Sequence, residues 1–407
     1  MPRLVPSLSL PWVRYLAGST VAWVGQSMAT TAVGWDLYQR THSTLVLGWV
    51  GLAQFLPVAL FALPAGVVAD RFDRRRVLLA TLWGQVLIML GLAALAAPGV
   101  PVFAVLVCLF LSGTAKAFHA PARSALLPML APRDELARVV NVSTACFQIA
   151  SLLGPALAGV LLAHLSGAAP LYAGVAGTMA VFALAVASVR IRQESAGERK
   201  ALDRHEVAAG LVFLWREELL RWAIALDTVA VLLGGVTALL PVFAHDRFHV
   251  GPATLGWLVA APSLGATLTS LWLARRPPIR RNGPALIGAV AAYGGATLAF
   301  ALTSEVWLAG LCLVAIGATD MVSVVVRSQL VTMLTPDALR GRVEAVHRLF
   351  ISTSNELGSF ESGLTASWWG AGPAVVVGAL GTLLTVGCIT LVSPRLRALR
   401  EIEPVLS

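Results

Sequence analysis

Charged residues are scarce in this chain: only 13% of its 407 residues are Asp, Glu, Lys or Arg, whereas 57% are hydrophobic. Because a soluble domain carries about 25% charged residues, this composition excludes an ordinary soluble enzyme. The sequence also lacks the pattern G-x-x-x-x-G-K-[ST], whose backbone holds nucleotide phosphates. We therefore expect no ATP hydrolysis, no enzymatic activity and no cofactor.

Cysteine and histidine are also few. The four cysteines (Cys108, Cys146, Cys312 and Cys388) lie inside apolar runs without the spacing of metal ligands, and we expect them to be buried small hydrophobic side chains. The seven histidines are scattered over predicted loops and helix ends (His42, His119, His164, His205, His245, His249 and His347). Neither residue type forms a cluster in the sequence, so we predict no metal site and no catalytic site.

Long apolar runs, by contrast, fill the chain. A membrane-spanning helix needs about 20 apolar residues, and runs of that length recur throughout. We place twelve of them near residues 13–37, 46–69, 77–97, 101–122, 139–164, 170–189, 219–243, 252–274, 283–303, 306–327, 344–367 and 371–392. The fold class expected is an all-α membrane protein with twelve transmembrane helices in two pseudo-symmetric six-helix bundles.

A polar stretch divides the twelve runs into six and six. We expect an N-terminal bundle at 1–189, a cytoplasmic linker at 190–218 and a C-terminal bundle at 219–407. Within the linker, hydrophobic residues recur at helical spacing (Val207, Leu211, Leu214 and Trp215). They predict either an amphipathic helix on the cytoplasmic membrane surface or a solvated tether.

The basic residues are distributed very unevenly between the spans. Counting from a cytoplasmic N-terminus, only Arg40 and Arg247 fall in loops on the outer side, and the remaining loops carry clusters of arginine such as 74–76 and 280–281. Cytoplasmic loops are enriched in Lys and Arg. This distribution predicts a protein of the plasma (bacterial inner) membrane with both termini in the cytoplasm. We assign the net charge of +9 to the cytoplasmic loops and expect no nucleic-acid partner.

The two halves of the sequence repeat each other. Residues 123–132 read RSALLPMLAP, and 204 residues later 327–336 read RSQLVTMLTP. At the same offset Gly113 matches Gly317, and Gly159 matches Gly363. Parallel repeats of this kind are typical of membrane transporters.

A short motif joins the second and third spans. It includes Gly66, Asp70, Arg71, Arg74 and Arg75, and it resembles the signature loop G-x-x-x-D-R-x-G-R-R/K of the major facilitator superfamily. Asp73 stands where the general pattern has Gly. The resemblance implies a twelve-helix transporter. It also implies that the loop meets the start of the eleventh helix, which we expect to begin at Thr335-Pro336-Asp337 with Thr335 as N-cap.

Further phrases resemble one branch of that superfamily, the one containing the enterobactin exporter and related drug-efflux proteins. They are Thr41-His42-Ser43, Pro121-Ala-Arg123-Ser124-Ala-Leu-Leu-Pro128, Leu240-Pro241, Arg340-Gly341-Arg342-Val343 and Asn355-Glu356-Leu357-Gly358. Gly154-Pro155 and Gly159 in the fifth span resemble a shortened form of the superfamily's antiporter motif. That motif favours export, and tight packing of small residues is the alternative interpretation.

A few polar residues lie inside the predicted spans, where a charge costs about 2.5–3.5 kcal/mol on insertion scales. The candidates for proton or substrate binding are Asp227, Glu356, Glu361, Gln26 and Asn355. A buried carboxylate can carry a coupling proton. Glu356 and Glu361 lie about 140° apart around a helix, so they cannot both point into one cavity.

Lys116 and Asp320 form a second kind of candidate, because they occupy matching positions 204 residues apart. In the superfamily the fourth and tenth helices line the cavity and close its cytoplasmic side. We therefore expect Lys116 and Asp320 to approach each other when that side closes, as a gate pair.

The predicted function is secondary active transport by alternating access, with a small amphipathic compound such as a siderophore or drug exported against proton influx. The expected partners are the substrate, protons and the lipid bilayer, and the expected state is a monomer. The alternatives are an importer or lipid flippase on the same fold, a transporter-like membrane sensor, or a membrane-embedded enzyme.

Overall fold

The computed structural model describes residues 11–97, 99–132, 134–189, 204–277 and 279–400, and the regular secondary structure in these ranges is helical throughout. The elements are α1 (Pro11–Thr41), α2 (Thr44–Arg71), α3 (Arg74–Leu95), α4 (Val102–Leu130), α5 (Leu136–His164), α6 (Ala169–Ser188), α7 (Arg204–Arg216), α8 (Glu218–Leu233), α9 (Val236–Val242), a π-helical turn (Phe243–Arg247), α10 (Pro252–Ala274), α11 (Asn282–Leu302), α12 (Val306–Leu334), α13 (Asp337–Trp369), α14 (Ala371–Val392) and α15 (Pro394–Ala398).

Each of the twelve predicted spans coincides with a helix, and the seventh is built from α8, α9 and the π-helical turn together. Ten of these spans in the described ranges are long and apolar enough by themselves to cross a membrane. The other two, α1 and α13, carry more polar residues. The prediction of an all-α membrane protein is confirmed.

The start of α13 differs from the prediction. The helix begins at Asp337 with Pro336 in the N-cap position and no side-chain cap bond. Thr335 is instead the C-cap residue that follows α12. Its buried hydroxyl has no hydrogen-bond partner among the described residues. The expected Thr335 cap is wrong, because Pro336 has an extended backbone with ψ of 146° and therefore precedes the first helical residue instead of being it.

The chain forms two compact units. One comprises Met1–Thr41, Ala53–Ala201 and Gly251–Ala260, and the other comprises His42–Leu52, Leu202–Val250 and Ala261–Ser407. The N-terminal turns of α2 therefore belong to the second unit. The N-terminal turns of α10 belong to the first unit. About half of the predicted linker, residues 190–203, lies outside the described residues.

The sequence repeat is also a repeat of helix geometry. Helices α4 and α12 are both 29 residues long and start 204 residues apart. A Cβ on Gly113 of α4 would collide with the carbonyl oxygen of Gln54 on α2, and a Cβ on Gly317 of α12 would collide with that of Pro262 on α10. In both units, a repeated glycine thus lets the backbones of two helices come close together.

A second pair of repeated glycines does the same for α5 and α13. A Cβ on Gly256 of α10 would lie 2.8 Å from the Cα atom of Gly159 on α5. In the other unit, a Cβ on Gly363 of α13 would lie 2.6 Å from the Cα atom of Gly48 on α2. Gly159 therefore allows close packing of two helices, which is the alternative interpretation of the antiporter-like motif given above.

The amphipathic segment of the linker is the helix α7. Leu214 is buried, whereas Leu211 and Trp215 are largely exposed. Gly210 is buried, and a Cβ there would meet the backbone of Arg342 on α13 at 3.0 Å. One side of α7 therefore packs on protein and another side presents apolar residues outward, as a helix at a membrane surface would.

Many large apolar side chains face outward, among them Phe103 at 75% and Leu391 at 77% exposure. The cysteines show the same behaviour: Cys312 is buried, Cys108 and Cys146 are half-buried, and Cys388 is exposed. The expectation of four buried cysteines is therefore wrong, because an apolar residue in a membrane span can face lipid as readily as protein.

Candidate functional site

The seventh span is broken in its middle, between α8 and α9. Helix α8 ends at Leu233 and α9 begins at Val236, with Gly234 and Gly235 between them. The Tyr293 hydroxyl on α11 donates a hydrogen bond to the Gly234 carbonyl at 3.2 Å. A Cβ at Gly235 would lie 2.7 Å from the Gly358 carbonyl of α13. Discontinuous helices of this kind commonly form binding sites in transporters.

A cavity of about 300 Å³ lies beside this break. Its polar lining includes Tyr293, Asp320, Asn355 and Glu356, together with the backbone of Gly234 and Gly235. Apolar side chains complete the wall, among them Val231, Val236, Leu313 and Ile316. A mostly apolar wall with a few polar groups is the usual composition of a small-molecule site. Three of the sequence candidates, Asp320, Asn355 and Glu356, line this one cavity.

A much smaller cavity lies next to the first, with a volume of about 10 Å³. Its lining includes Asp227, Tyr293, Thr319, Asp320 and Ser323. A space of this size holds about one water molecule. Asp320 and Tyr293 line both cavities, so they connect the larger one to Asp227.

Asp227 is held by an arginine that the sequence did not identify as its partner. Arg327 Nη1 lies 2.6 Å from Asp227 Oδ2, and both side chains are less than 10% exposed. Arg327 Nε also donates to the Ser323 hydroxyl at 3.2 Å. A buried charge is tolerated when it is paired and hydrogen-bonded in this way. The available signal was the position of Arg327 at the end of the tenth predicted span.

The first unit places an arginine at the equivalent position but gives it a different partner. Arg123 and Arg327 are 204 residues apart, as are Trp23 and Asp227. The Arg123 guanidinium lies 4.5 Å from the centre of the Trp23 ring. The same two positions therefore form a cation–π contact in the first unit and an ion pair in the second.

Lys116 and Asp320 have different surroundings within their own units. Lys116 Nζ donates to Gln54 Oε1 on α2 at 2.7 Å. Asp320 and Pro262 of α10 line the same cavity. The Pro262 side chain can neither donate nor accept a hydrogen bond, so it does not play the part that Gln54 plays for Lys116. The approach of Lys116 to Asp320 stays a prediction.

The remaining polar candidates lie apart from the cavity. Glu361 is half-buried on α13, where Ser362 Oγ donates to its Oε2 atom at 3.5 Å. Gln26 is half-buried on α1 in the first unit, and Thr30 donates to its backbone carbonyl at 3.1 Å. Glu356 and Glu361 thus have separate surroundings on one helix.

The signature loop joins α2 to α3. Asp73 caps α3, since its carboxylate accepts from the Arg76 backbone N–H at 3.0 Å. Arg75 Nε donates to the Val186 carbonyl at 3.2 Å, and Arg75 Nη2 donates to the Ala187 carbonyl. An arginine therefore donates to two carbonyls at the C-terminal end of α6, where a helix leaves carbonyls without intrahelical partners. The Val186 carbonyl also accepts from the Val189 backbone N–H at 3.4 Å.

The other residues of the signature loop differ in burial. Arg74 is buried, and its Nη1 lies 3.6 Å from Met129 Sδ of α4. Arg71 is exposed, and a Cβ on Gly66 would meet no described atom within 4 Å. The side chain of Asp70 lies outside the described residues.

Comparison with known proteins points to one family. The sequence profile described as Major Facilitator Superfamily matches residues 15–359. The multidrug efflux pump Tap of Mycolicibacterium fortuitum is 27% identical over 404 residues, which cover 96% of this chain and 97% of that protein. Macrolide efflux protein A of Streptococcus pyogenes is 28% identical over 246 residues, covering 58% and 59%. The staphyloferrin A transporter of Staphylococcus aureus is 26% identical over 151 residues, covering 37% and 38%.

Solved structures share the fold. A bacterial homologue of the human lysosomal transporter Spinster superposes with a TM-score of 0.73 and 13% identity, covering 96% of this chain and 98% of that one. The nucleoside transporter NupG superposes with a TM-score of 0.72 and 13% identity, covering 94% and 98%. At this level of identity the similarity establishes the fold alone.

Proposed function

The chain belongs to the Major Facilitator Superfamily, and on that basis we propose that it exports a small amphipathic compound in exchange for protons by alternating access. It is an integral membrane transporter and not an enzyme. The observation that carries the proposal is the cavity of about 300 Å³ beside the helix break, with Asp320 and Glu356 in its lining.

The composition of the cavity favours an amphipathic cation as substrate. Val231, Leu313 and Ile316 offer an apolar surface, while Asp320 and Glu356 offer negative charge. Burying a cation away from water is costly unless a carboxylate pairs with it. Two relatives named as efflux proteins, Tap and macrolide efflux protein A, support the direction of transport.

Asp320 and Glu356 are also the leading candidates for the coupling proton. A coupling carboxylate has to be reached by both protons and substrate, and these two line the larger cavity. Asp227 is already neutralised by Arg327 at 2.6 Å, and Glu361 interacts with Ser362 on its own helix. We therefore assign proton exchange to Asp320 and Glu356, and charge balance to Asp227.

Everted membrane vesicles test this assignment. A pH gradient is established, and substrate-induced dissipation is followed with a pH-sensitive dye for Asp320→Asn, Glu356→Gln, Asp227→Asn and Glu361→Gln. We expect loss of proton exchange in the first two variants. Glu344→Gln is the matched control, because Glu344 pairs with Arg348 on α13 outside the cavity lining. If Asp320→Asn and Glu356→Gln both keep proton-driven transport intact, the assignment fails.

The direction of transport has its own test. An exporter lowers the cellular content of its substrate, so a deletion strain should accumulate more of a cationic amphipathic dye than its parent. Lower accumulation in the deletion strain would favour an importer, and lipid redistribution without dye transport would favour a flippase. Ligand binding without any transport would favour a membrane sensor.

Orientation in the plasma membrane follows from the same proposal. The arginines of the α2–α3 loop and those at 280–281 lie on one side by the positive-inside rule, which places both termini in the cytoplasm. A fluorescent protein fused to the C-terminus should fold and fluoresce, because the cytoplasm supports its folding. Alkaline phosphatase fused at the same position should be inactive. A single-chain monomer is expected to be the working unit.

A further inference from the structure

Two histidines far apart in the sequence lie side by side in the second unit. The ring centres of His42 and His245 are 5.2 Å apart. His245 Nδ1 lies 2.6 Å from Asp246 Oδ1. One ligand atom from each of His42, His245 and Asp246 falls within 4.8 Å of the others. We expected no metal site because the histidines are far apart in the sequence. The fold brings two of them, His42 and His245, together.

The backbone on both sides of this cluster departs from regular α-helix. His42 lies between α1 and α2 in a left-handed conformation with φ of +46°, which is uncommon for a residue other than glycine. His245 and Asp246 lie in the π-helical turn, and π-helical turns in α-helices are frequent at functional sites. Such local strain persists when the surrounding structure imposes it, and it often accompanies a binding site.

The chemistry of the cluster selects a class of ion. Imidazole nitrogen and a carboxylate oxygen suit Zn²⁺ and its neighbours Co²⁺ and Ni²⁺, whereas Mg²⁺ and Ca²⁺ prefer oxygen ligands. Three protein ligands leave one position of a tetrahedral ion for water. His245 and Asp246 are 35% and 50% exposed, so an ion can reach them from solution.

The site is separate from the cavity assigned to transport. The cavity lining contains Asp320, Asn355 and Glu356, and none of the three cluster residues. The cluster is also distant in sequence from the signature loop, because α2 begins two residues after His42 and ends at Arg71.

We propose that His42, His245 and Asp246 form a binding site for a zinc-class divalent ion. The bound ion joins the α1–α2 loop to the π-helical turn. It replaces the direct His245–Asp246 contact with bonds from both residues to the metal.

The test uses the full chain, purified in detergent without a polyhistidine tag. Zn²⁺ is titrated calorimetrically in the presence of excess Mg²⁺, and we expect one Zn²⁺ per chain. Co²⁺ is then added in place of Zn²⁺, and visible absorption bands of tetrahedral Co²⁺ should appear and be abolished by Zn²⁺. His42→Ala, His245→Ala and Asp246→Asn should each weaken Zn²⁺ binding by at least about tenfold, the size of loss typical when a metal site is perturbed.

His164→Ala is the matched control, because His164 is an exposed histidine at the end of α5. It should bind Zn²⁺ like the parent protein. The apo forms of all variants are compared by size-exclusion chromatography and thermal unfolding, and Asp246→Asn, which alters an exposed side chain, covers the case in which a histidine variant fails to fold. Unchanged Zn²⁺ affinity in Asp246→Asn, or equal loss in His164→Ala, would overturn the proposal.

Discussion

Arg327 and Asp227 form a buried ion pair, with 2.6 Å between Nη1 and Oδ2, at the two positions where the first unit stacks Arg123 on Trp23. The arginine is therefore the same in both repeats and its contact joins equivalent helices. The residue it contacts differs: Trp23 in the first unit and Asp227 in the second. The change places a negative charge next to Asp320, which lines the same small cavity as Asp227.

Removing one member of this pair should strongly destabilise the protein. Arg327→Met leaves an uncompensated buried carboxylate, and loss of one partner of a buried pair costs about 3–5 kcal/mol. The double variant Asp227→Leu with Arg327→Met should recover most of this loss, because no charge remains buried. Thermal unfolding in detergent measures both effects. A double variant as unstable as Arg327→Met would show that the charges do not act on each other.

The close approach of α13 to α2 predicts a steric effect at Gly363. A Cβ there would lie 2.6 Å from the Cα atom of Gly48, so Gly363→Ala forces two backbones apart. Overpacking of this kind costs about 1–3 kcal/mol and should lower the melting temperature. Gly174→Ala on α6 is the control, since a Cβ at Gly174 meets no described atom within 4 Å. Equal melting temperatures for the two variants would contradict the close approach.

Arg75 should stabilise the first unit by satisfying the end of α6. Arg75→Ala removes the side-chain donor of the Ala187 carbonyl and one of the two donors of the Val186 carbonyl. A hydrogen bond to a charged group contributes about 1.5–3 kcal/mol, and the solvent exposure of this end places the expected loss at the lower limit. Arg76→Ala removes an exposed side chain from the next position and should have little effect. A melting temperature unchanged in Arg75→Ala would rule out the capping role.

The proposed gate between Lys116 and Asp320 predicts compensation. Lys116→Asp and Asp320→Lys should each lower the flux of substrate down its own gradient, which needs no coupling proton, because like charges would oppose closure of the gate. The double charge swap should restore part of it. Gln54→Leu is an informative companion, since it removes the acceptor that binds Lys116 at 2.7 Å without changing any charge. A double swap no better than either single swap would disprove the pairing.

Much of the fold could be predicted from the sequence, for a clear physical reason. A helix satisfies its own backbone groups and can therefore cross lipid with an apolar surface, so ten of the twelve spans in the described ranges are long apolar runs. The repeat at Arg123 and Arg327 indicated the two halves. The start of α13 was misplaced by assigning the cap to Thr335. That error concerns one helix end, where proline is compatible both with the first helical position and with the extended backbone that Pro336 adopts.

The site was only partly predictable. Asp320, Asn355 and Glu356 were identified because a charge or amide inside an apolar run is costly and therefore conspicuous. Arg327 was overlooked as the partner of Asp227, since no local pattern joins residues that distant. His42 and His245 were missed for the same reason, because their contact depends on two turns folding toward each other.

The sequence by itself determined the number and order of the spans, the internal repeat and the presence of buried polar groups. The tertiary structure decided which face of each helix meets protein and which polar groups meet one another. Lipid and protein interior are both apolar, so hydropathy cannot distinguish Leu391, which is exposed, from Leu313, which is fully buried. Only packing makes that distinction, and packing placed Asp227 against Arg327 and left Asp320 beside a cavity.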